Sequence, residues 1–252
     1  MNQPTKIALV TGSVRGIGKV IAERLEIKGW TVIRHAQTAA ELEGLVGVAG
    51  DLADPNVPEA LIAEVMARYG RLDALVNNAA LTTRSNLETT DAALFDRLMA
   101  VNLRAPLLLI QAALPHFRAQ GVGKVINIGS SNAYCGERNL LAYSLTKAGL
   151  MVLTRNLGDT HGAEGVRVNQ LNLGWTLSDS EYALKISEGL PPDWPERLPK
   201  SVAPSGGLQT PEDVAAMVAW LLSDEAPRVN GQVWDFEQYP LIGRNPPKDV
   251  AG

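Results

Sequence analysis

The sequence has little cysteine, no excess of positive charge and no long apolar run. Cys135 is the single cysteine among 252 residues, which excludes an intramolecular disulfide framework. Lysine and arginine together number 23, against 27 aspartates and glutamates. Without clustered positive charge, neither nucleic acid nor an anionic membrane is an expected partner. The longest apolar stretch, residues 105–110, is too short to cross a bilayer.

The amino terminus gives no export signal, because residues 1–6 are polar and the apolar run 7–10 is too short for a signal peptide. Together with the single cysteine, this predicts a cytoplasmic protein whose partner is a small molecule. No metal-ligand spacing connects Cys135, His116 and His161, so no metal site is predicted.

Short apolar runs alternate with longer helical patterns along the chain. The runs lie at residues 7–10, 31–33, 45–48, 72–76, 124–128, 166–173 and 231–236. Continuous apolar strands are typical of a parallel sheet with both faces covered by helices. The sequence therefore predicts a single α/β domain over residues 1–252, built on a doubly wound (Rossmann-type) parallel sheet flanked by helices on both faces.

Helical patterns occupy the intervals between these runs. They include residues 58–69, a long stretch over 89–118 that Pro106 and Pro115 interrupt, residues 143–161, and a helix from Thr210 to about residue 223. Five prolines lie between residues 175 and 209, which predicts an irregular excursion outside the sheet. Residues 238–252 are predicted to form a loop-like tail.

A glycine-rich turn follows the first strand directly and opens the first helix. It reads Thr11-Gly12-Ser13-Val14-Arg15-Gly16-Ile17-Gly18. Gly12 allows the tight turn, and the missing side chains of Gly16 and Gly18 let a pyrophosphate approach the helix amino terminus. The context predicts a dinucleotide-binding site.

Tyr143 and Lys147 are four residues apart at the start of a predicted helix, so both side chains project from one face. Ser130 ends a strand thirteen residues before the tyrosine. Reduction of a carbonyl needs a proton on oxygen as hydride reaches carbon, and a phenol can serve both directions. Because a phenol normally titrates near 10, it needs a nearby positive charge to act at neutral pH, and Lys147 is placed to supply it.

In the order and spacing of these motifs the chain resembles the short-chain dehydrogenase/reductase family over nearly its whole length. The resemblance implies a catalytic tetrad of Asn102, Ser130, Tyr143 and Lys147. In it, Ser130 holds the substrate oxygen, Tyr143 transfers the proton, Lys147 also holds the nicotinamide ribose, and Asn102 supports a water that links Lys147 to solvent.

The resemblance also implies a set of cofactor contacts. Asp51-Leu52 matches the adenine-contacting pair, Asn77-Asn78-Ala79-Ala80 is similar to an Asn-Asn-Ala-Gly motif, and Ser178 stands where the family has a threonine that contacts the nicotinamide carboxamide. The full predicted set is Gly12, Ser13, Arg15, Gly16, Ile17, Gly18, His35, Asp51, Leu52, Asn78, Ala79, Tyr143, Lys147, Gly174 and Ser178.

The choice between NAD and NADP depends on the end of the second strand. An acid about 20 residues after the glycine turn selects NAD, because its charge repels a 2′-phosphate. Ala36 occupies the family's position for that acid, and Arg15 is a basic residue just before Gly16. The sequence therefore favours NADP narrowly over NAD, although Arg15 can equally be a solvated side chain, and neither Arg34 nor His35 need face the ribose.

Substrate specificity in the resembled family comes from the segment at residues 178–207. Trp175, Tyr182 and Trp194 are the candidate pocket residues, accompanied by Glu181 and Arg197. Aromatic faces with a few charged partners suit a sugar, a sugar acid or a polyol, but the same aromatics can simply pack this segment against the core.

Two alternatives stay open at this point. One is reduction of a 3-oxoacyl thioester or a ketosteroid-like carbonyl; the other, of a different class, is a nucleotide-sensing regulator without turnover, against which the intact tetrad argues. The resemblance also implies a homo-oligomer, a tetramer or a dimer.

Overall fold

One parallel sheet organises the protein. The structure, a computed structural model, describes residues 5–226 and 228–239. Its seven strands lie in the order β3-β2-β1-β4-β5-β6-β7. They are β1 (Ile7–Val10), β2 (Thr31–Ala36), β3 (Gly47–Ala49), β4 (Ala74–Asn77), β5 (Gly123–Ser130), β6 (Val166–Leu173) and β7 (Val233–Phe236). The strand order reverses where β1 pairs with β4, the place where ligands bind in such sheets. The doubly wound prediction is confirmed.

Helices cover both faces of this sheet. They are α1 (Gly16–Ile27), α2 (Val57–Tyr69), α3 (Ala92–Met99), α4 (Ala105–Gln120), α5 (Leu141–His161), α6 (Asp179–Ser187) and α7 (Pro211–Leu222). On one face, Ile21 and Leu25 of α1 and Val218 of α7 share a core with the sheet. On the other face, Val65 of α2 and Phe117 of α4 do the same. Burial of these apolar stripes is the main contribution to the stability of the layers.

The sequence only partly predicted where the long helical stretch begins and where its hydrogen-bond pattern changes. It starts after Asp91, whose carboxylate accepts a 2.8 Å hydrogen bond from the amide of Leu94. A π-turn over Ala100–Arg104 joins α3 to α4. Pro106 has no N–H to donate to the carbonyl of Asn102 four residues earlier, which accounts for a break in the α pattern there. Pro115 lies inside α4 and does not end it, contrary to the prediction.

The segment Ala92–Gln120 is long and apolar enough to cross a bilayer when judged by length and composition alone. Half of its most apolar window is buried inside the fold. Leu109, Ala113 and Phe117 pack in the core against the sheet. These contacts are those of a core helix.

Two other predictions need correction. Strand β3 begins at Gly47 rather than at residue 45, because Leu45 and Val46 are 45% and 54% exposed and lie before the sheet. The segment predicted to be irregular contains α6, whose N-terminus is capped by Ser178 through a 3.2 Å hydrogen bond from the amide of Glu181. The prolines of this segment lie after α6, so they do not oppose the helix.

The start of the predicted tail is tied to the same segment. Gln238 accepts a 3.0 Å hydrogen bond from the amide of Ser205 and donates a 2.6 Å bond to the carbonyl of Gly207. The rest of the predicted tail, residues 240–252, lies outside the described residues.

Candidate active site

A cleft of about 600 Å³ opens at the carboxyl ends of the strands, over the point where the strand order reverses. Most of the predicted site residues line it, namely Gly12, Arg15, Gly16, Ile17, Gly18, His35, Asp51, Leu52, Asn78, Ala79, Ser130, Tyr143, Lys147, Gly174, Trp175 and Ser178. Ser13, Asn102, Tyr182 and Trp194 lie behind this lining. Both halves of the predicted site, cofactor and catalytic, therefore meet in one cleft.

The glycine turn forms a cradle that side chains would fill. Gly12 has a φ of +60°, which favours glycine. A Cβ on Gly18 would lie 2.3 Å from the carbonyl oxygen of Gly12 and 2.4 Å from Nδ2 of Asn78. Gly16, with a φ of +55°, opens α1 and faces free space. An anionic pyrophosphate fits such a helix terminus.

The loop after β4 clamps this turn. Thr11 Oγ1 accepts hydrogen bonds from the amides of Asn78 at 2.9 Å and Ala79 at 3.0 Å. In return, Nδ2 of Asn78 donates to the carbonyls of Thr11 at 2.9 Å and Gly12 at 3.1 Å. The asparagine thus stabilises the floor of the cleft in addition to lining it.

Ser13 and His35 brace the turn from beneath. Ser13 is fully buried; its hydroxyl donates to the carbonyl of Val10 at 2.6 Å and accepts from the amide of His35 at 3.0 Å. Nδ1 of His35 accepts from the amide of Gly12 at 3.1 Å, while Nε2 lies 3.0 Å from the carbonyl of Gly50. Burial lowers the pKa of His35, so the ring is neutral at neutral pH. Both of its nitrogens are engaged by backbone groups.

Arg34 is also committed elsewhere. Its guanidinium is buried, donates a 3.0 Å hydrogen bond to the carbonyl of Ser13 and pairs with Glu26 at 3.0 Å. The basic residues at the end of β2, Arg34 and His35, are therefore structural, and the charge at the end of the cleft predicted to hold the adenosine comes from other positions.

Arg15 and Glu41 meet at the adenosine end. The Arg15 side chain is 83% exposed, and its Nη1 lies 3.7 Å from Oε1 of Glu41. The other carboxylate oxygen of Glu41 accepts a 3.0 Å hydrogen bond from the amide of Thr38, and this bond is the first cause of the lowered pKa of Glu41, with Arg15 contributing. Sequence reasoning missed Glu41; its signal was the capping box Thr38-x-x-Glu41.

The predicted catalytic side chains converge at the end of β5 and the start of α5. Ser130, Tyr143 and Lys147 are all buried. The Ser130 side chain lies close enough to the Tyr143 phenol to affect its pKa. Lys147 Nζ lies 5.6 Å from the centre of the Tyr143 ring and donates a 2.7 Å hydrogen bond to the carbonyl of Ile128.

Burial tunes both ionisable groups of this cluster. Burial is the largest cause that raises the pKa of Tyr143 to about 12; the Ser130 side chain opposes this shift, and the charges of Glu137 and Glu181 add to it. Burial lowers the pKa of Lys147 to about 8. At neutral pH the phenol therefore holds its proton.

Asn102 sits in the π-turn, outside the lining of the cleft. Its Oδ1 accepts a 2.8 Å hydrogen bond from the amide of Leu81, and its Nδ2 donates to the carbonyl of Leu81 at 2.9 Å and to Thr146 Oγ1 at 3.2 Å. These contacts join the loop after β4 to α5. The water-supporting role implied by the resemblance stays a prediction.

The three aromatic candidates form one stack. The rings of Trp175 and Trp194 lie 5.3 Å apart at 15°, and Tyr182 stacks on Trp194 at 6.4 Å. Trp194 is 1% exposed, and the hydroxyl of Tyr182 donates to the carbonyl of Pro192 at 3.0 Å. Trp175 alone of the three lines the cleft, so Tyr182 and Trp194 hold it in place from behind.

Two charged residues that no local sequence pattern singles out lie near the Tyr143 and Lys147 cluster. Glu137, from the loop before α5, and Arg84, from the loop after β4, line the cleft beside Glu181 of α6. Arg84 pairs with Glu188 at 2.7 Å. These residues come from three separate segments, and no local sequence pattern connects them.

Gly174 is close to a carboxylate that follows the last strand. A Cβ there would lie 1.9 Å from Oε2 of Glu237. That same oxygen accepts a 3.3 Å hydrogen bond from the amide of Trp175. The residue that follows the last strand thus places an acid against the Gly174 backbone.

Known proteins match the chain from the glycine turn to the last strand. A family model described as enoyl-(acyl carrier protein) reductase covers residues 12–237. Levodione reductase from Leifsonia aquatica is 32% identical over 90% of this chain and 91% of its own length. A 3-oxoacyl-[acyl-carrier-protein] reductase from Haemophilus influenzae is 34% identical over 90% of this chain and 94% of its own. The structure of 3-ketoacyl-(acyl-carrier-protein) reductase from Brucella melitensis, complexed with NADH, has a TM-score of 0.80 at 26% identity and covers 92% of this chain and 96% of that chain.

Proposed function

The chain belongs to the short-chain dehydrogenase/reductase family, and we propose that in this NAD(P)-dependent oxidoreductase of CH–OH and carbonyl groups Tyr143 is the general acid and base. The observation that carries the proposal is the cluster at the end of β5, where the buried side chains of Ser130, Tyr143 and Lys147 meet and the ammonium group of Lys147 lies 5.6 Å from the centre of the Tyr143 ring. All three residues line the same cleft as the glycine turn.

In the reducing direction, Tyr143 Oη gives its proton to the substrate oxygen, and the Ser130 hydroxyl holds that oxygen by a hydrogen bond. In the oxidising direction the phenol oxygen takes the proton back. When bound in the cleft, a nicotinamide cofactor would supply or accept the hydride. Since the pKa of the phenol is about 12, a positive charge nearby assists the oxidising direction, and Lys147 would contribute it while holding the nicotinamide ribose.

Other residues of the cleft would hold the remaining parts of the cofactor. The backbone of the glycine turn suits the pyrophosphate, because Gly16 leaves free space at the start of α1. Asp51 and Leu52 would contact the adenine, and Ser178 the nicotinamide carboxamide. Asn102 would support the water that connects Lys147 to solvent.

NADP is the cofactor that we propose, with NAD as the alternative. Ala36 leaves no acid at the end of β2, and the exposed guanidinium of Arg15, which lines the cleft, would pair with a 2′-phosphate. Glu41 supports the alternative, since its carboxylate partly neutralises Arg15 and repels a phosphate. The balance between these two side chains decides the preference.

The substrate is a small secondary alcohol or carbonyl compound, and we propose a sugar, sugar acid or polyol. The support is the presence of Trp175 in the lining together with charged and polar side chains. A second candidate, reduction of a 3-oxoacyl thioester, is favoured by the 34% identity to the Haemophilus influenzae reductase. Carboxylates at the catalytic end of the cleft disfavour an anionic carrier as partner.

Absorbance at the reduced-nicotinamide band tests the proposal directly. Wild type and Tyr143→Phe are assayed with NAD and NADP against sugars, polyols, aldonates, ketones and a 3-oxoacyl thioester. We expect turnover of at least one alcohol or carbonyl by wild type and loss of that turnover in the variant. Undiminished turnover without the phenol would overturn the assignment of Tyr143.

We also propose that the protein is a cytoplasmic homotetramer or dimer. Apolar side chains on α4 and α5 support assembly, since Leu107, Leu145 and Val152 are 42%, 50% and 63% exposed. Light scattering of the full chain measures the oligomeric state. A monomer at micromolar concentration would contradict the assembly without affecting the catalytic assignment.

A further inference from the structure

The substrate end of the cleft contains a carboxylate that the proton transfer does not use. Glu181, in the first turn of α6, lines the cleft on the side of Trp175. We propose that Glu181 is a specificity-determining residue: its carboxylate accepts a hydrogen bond from a hydroxyl of a neutral polyhydroxylated substrate and excludes anionic analogues. This inference rests on the proposed function and narrows its substrate class from sugars, polyols and sugar acids to the uncharged ones.

The orientation of this carboxylate is determined by one donor. The indole Nε1 of Trp175 donates a 2.7 Å hydrogen bond to Oε1 of Glu181. Trp175 is itself held by its stack on the buried ring of Trp194. One oxygen of the carboxylate is thus engaged by a neutral donor, and a carboxylate can accept several further hydrogen bonds.

The charge of Glu181 is not cancelled by an ion pair. Among residues 5–226 and 228–239, Lys and Arg make no ion pair with it within 4.0 Å. Two cations of the lining, Arg84 and Lys185, both pair with Glu188, at 2.7 and 2.8 Å. Their positive charge is therefore shared with that acid.

Other charges around the phenol have the same sign as Glu181. Glu137 and Asp179 line the cleft as well, and both Glu137 and Glu181 act on the Tyr143 phenol strongly enough to raise its pKa. A substrate carboxylate or phosphate near the reacting oxygen would therefore meet like charges in a partly desolvated site. A hydroxyl group instead finds a charged acceptor, the stronger kind of hydrogen bond.

Trp175 adds the second half of the recognition. Its ring stacks on Trp194, and Lys185 Nζ lies 5.6 Å from the ring centre, so the part of the indole that lines the cleft offers a small apolar contact to the C–H groups of a sugar or polyol. The oriented carboxylate beside it accepts a hydrogen bond from a hydroxyl. One rigid pair of side chains thus presents both an apolar and a hydrogen-bonding surface. A simple ketone or an acyl chain would offer the second oxygen of the carboxylate no donor in exchange for its water.

Glu181→Gln is the test, because glutamine keeps the shape and an acceptor for the Trp175 indole but removes the charge. Wild type and variant are compared on hexitols and on aldonates of the same configuration, for example D-glucitol and D-gluconate. We expect kcat/KM for the neutral compounds to fall about tenfold to a hundredfold in the variant, mainly through KM, and the ratio of neutral to anionic kcat/KM to fall with it. Glu196→Gln, an exposed charge removal in the same segment, should leave the ratio unchanged.

A double-mutant cycle with Trp175→Phe separates recognition from folding. Phenylalanine keeps an aromatic face but removes the donor to Glu181, so the two losses should be less than additive. Binding of the hexitols to Tyr143→Phe and to its Glu181→Gln double variant, measured by calorimetry with NADP present, provides a readout that does not depend on turnover. We expect the hexitols to bind the double variant about tenfold more weakly.

Failures of the two proposals are distinguishable. An unchanged neutral-to-anionic ratio in Glu181→Gln, or turnover by wild type of only ketones, thioesters or aldonates, would overturn the role of Glu181 while leaving Tyr143 as the proton-transfer group. Turnover that persists in Tyr143→Phe would instead overturn the catalytic proposal. A melting temperature of Glu181→Gln close to wild type ensures that a changed ratio reports on the cleft.

Discussion

The ammonium group of Lys147 lies 5.6 Å from the centre of the Tyr143 ring and donates its 2.7 Å hydrogen bond to the carbonyl of Ile128, a residue of the central sheet. Both residues lie on α5, and this hydrogen bond ties the lysine side chain to β5. Since both side chains are buried, their separation is set by their spacing on one helix and by the packing of that helix on the strand, and it does not depend on a flexible loop.

Tyr143→Phe is expected to lower kcat by at least about a hundredfold, the usual contribution of a positioned general acid. Cofactor binding should persist, because the glycine turn lies in a different part of the cleft. Turnover is measured by reduced-nicotinamide absorbance, and NADPH binding by the fluorescence of the reduced ring. A parallel loss of binding would indicate that the ring has a structural role.

The pH dependence of stability should report the buried lysine. The pKa of Lys147 falls from 10.5 to about 8 on folding because of burial, so between these values the unfolded chain binds more protons than the folded protein and stability rises with pH. Urea unfolding at pH values from about 7.5 to 10 should show the wild type gaining stability relative to Lys147→Met. Lys124, whose pKa is also about 8, titrates in both proteins and cancels in the difference. A difference that stays constant with pH would contradict the lowered pKa.

Substitution of Glu41 and substitution of Arg15 should shift the preference between NADP and NAD in opposite directions. Glu41→Gln releases Arg15 and removes a negative charge, so the NADP-to-NAD ratio of kcat/KM should rise about fivefold. Arg15→Ala should lower the ratio by a similar factor. Gln37→Ala, at an exposed position of the same end of the cleft, serves as a variant without charge change. Equal ratios in all three variants would show that neither side chain meets the ribose.

Most of the fold was predictable because its elements carry local patterns. Buried strands are continuous apolar runs. The glycine turn is recognisable because the backbone conformation requires glycine at position 12 and close contacts require it at position 18. Tyr143 and Lys147 were found for the same reason, since four-residue spacing on a helix is a local property.

The rest could not be read from local patterns. His35 and Arg34 alternate on a strand that is buried on both faces, and only the tertiary structure shows that both side chains turn to the backbone of the glycine turn. Glu137 and Glu181 are more than forty residues apart and meet only because α6 folds over the cleft. The prolines that follow α6 made its segment look irregular in the sequence. The ion pair of Arg84 with Glu188 also forms only when α6 packs over the cleft.

Gly18→Ala is expected to lower both the stability of the protein and its affinity for the cofactor. A Cβ would lie 2.3 Å from the carbonyl oxygen of Gly12, which is backbone and cannot rotate away. Overpacking of this kind costs about 1–3 kcal/mol, and the shift of the turn should raise the KM for NADP. Gly207→Ala, where an added Cβ meets nothing within 4 Å, is the matched control for thermal unfolding and kinetics. Equal behaviour of the two variants would mean that the turn is free to adjust.

Thr154→Val should measure how much a buried hydrogen-bond chain that connects three strands contributes to the free energy of unfolding. The Thr154 hydroxyl accepts a 2.9 Å hydrogen bond from Asn127 Nδ2 and lies 3.0 Å from Gln170 Oε1, while Asn127 Oδ1 accepts from Asn77 Nδ2 at 2.8 Å. Valine keeps the volume but leaves the Asn127 donor without its partner, which costs about 1–3 kcal/mol. Thr160→Val, at an exposed position of α5, should change the free energy of unfolding in urea by less than about 0.5 kcal/mol. Because Asn77 immediately precedes the clamp formed by Asn78, the Thr154 variant should also raise the KM for the cofactor, and an unchanged KM would show that the chain stabilises the sheet without positioning the site.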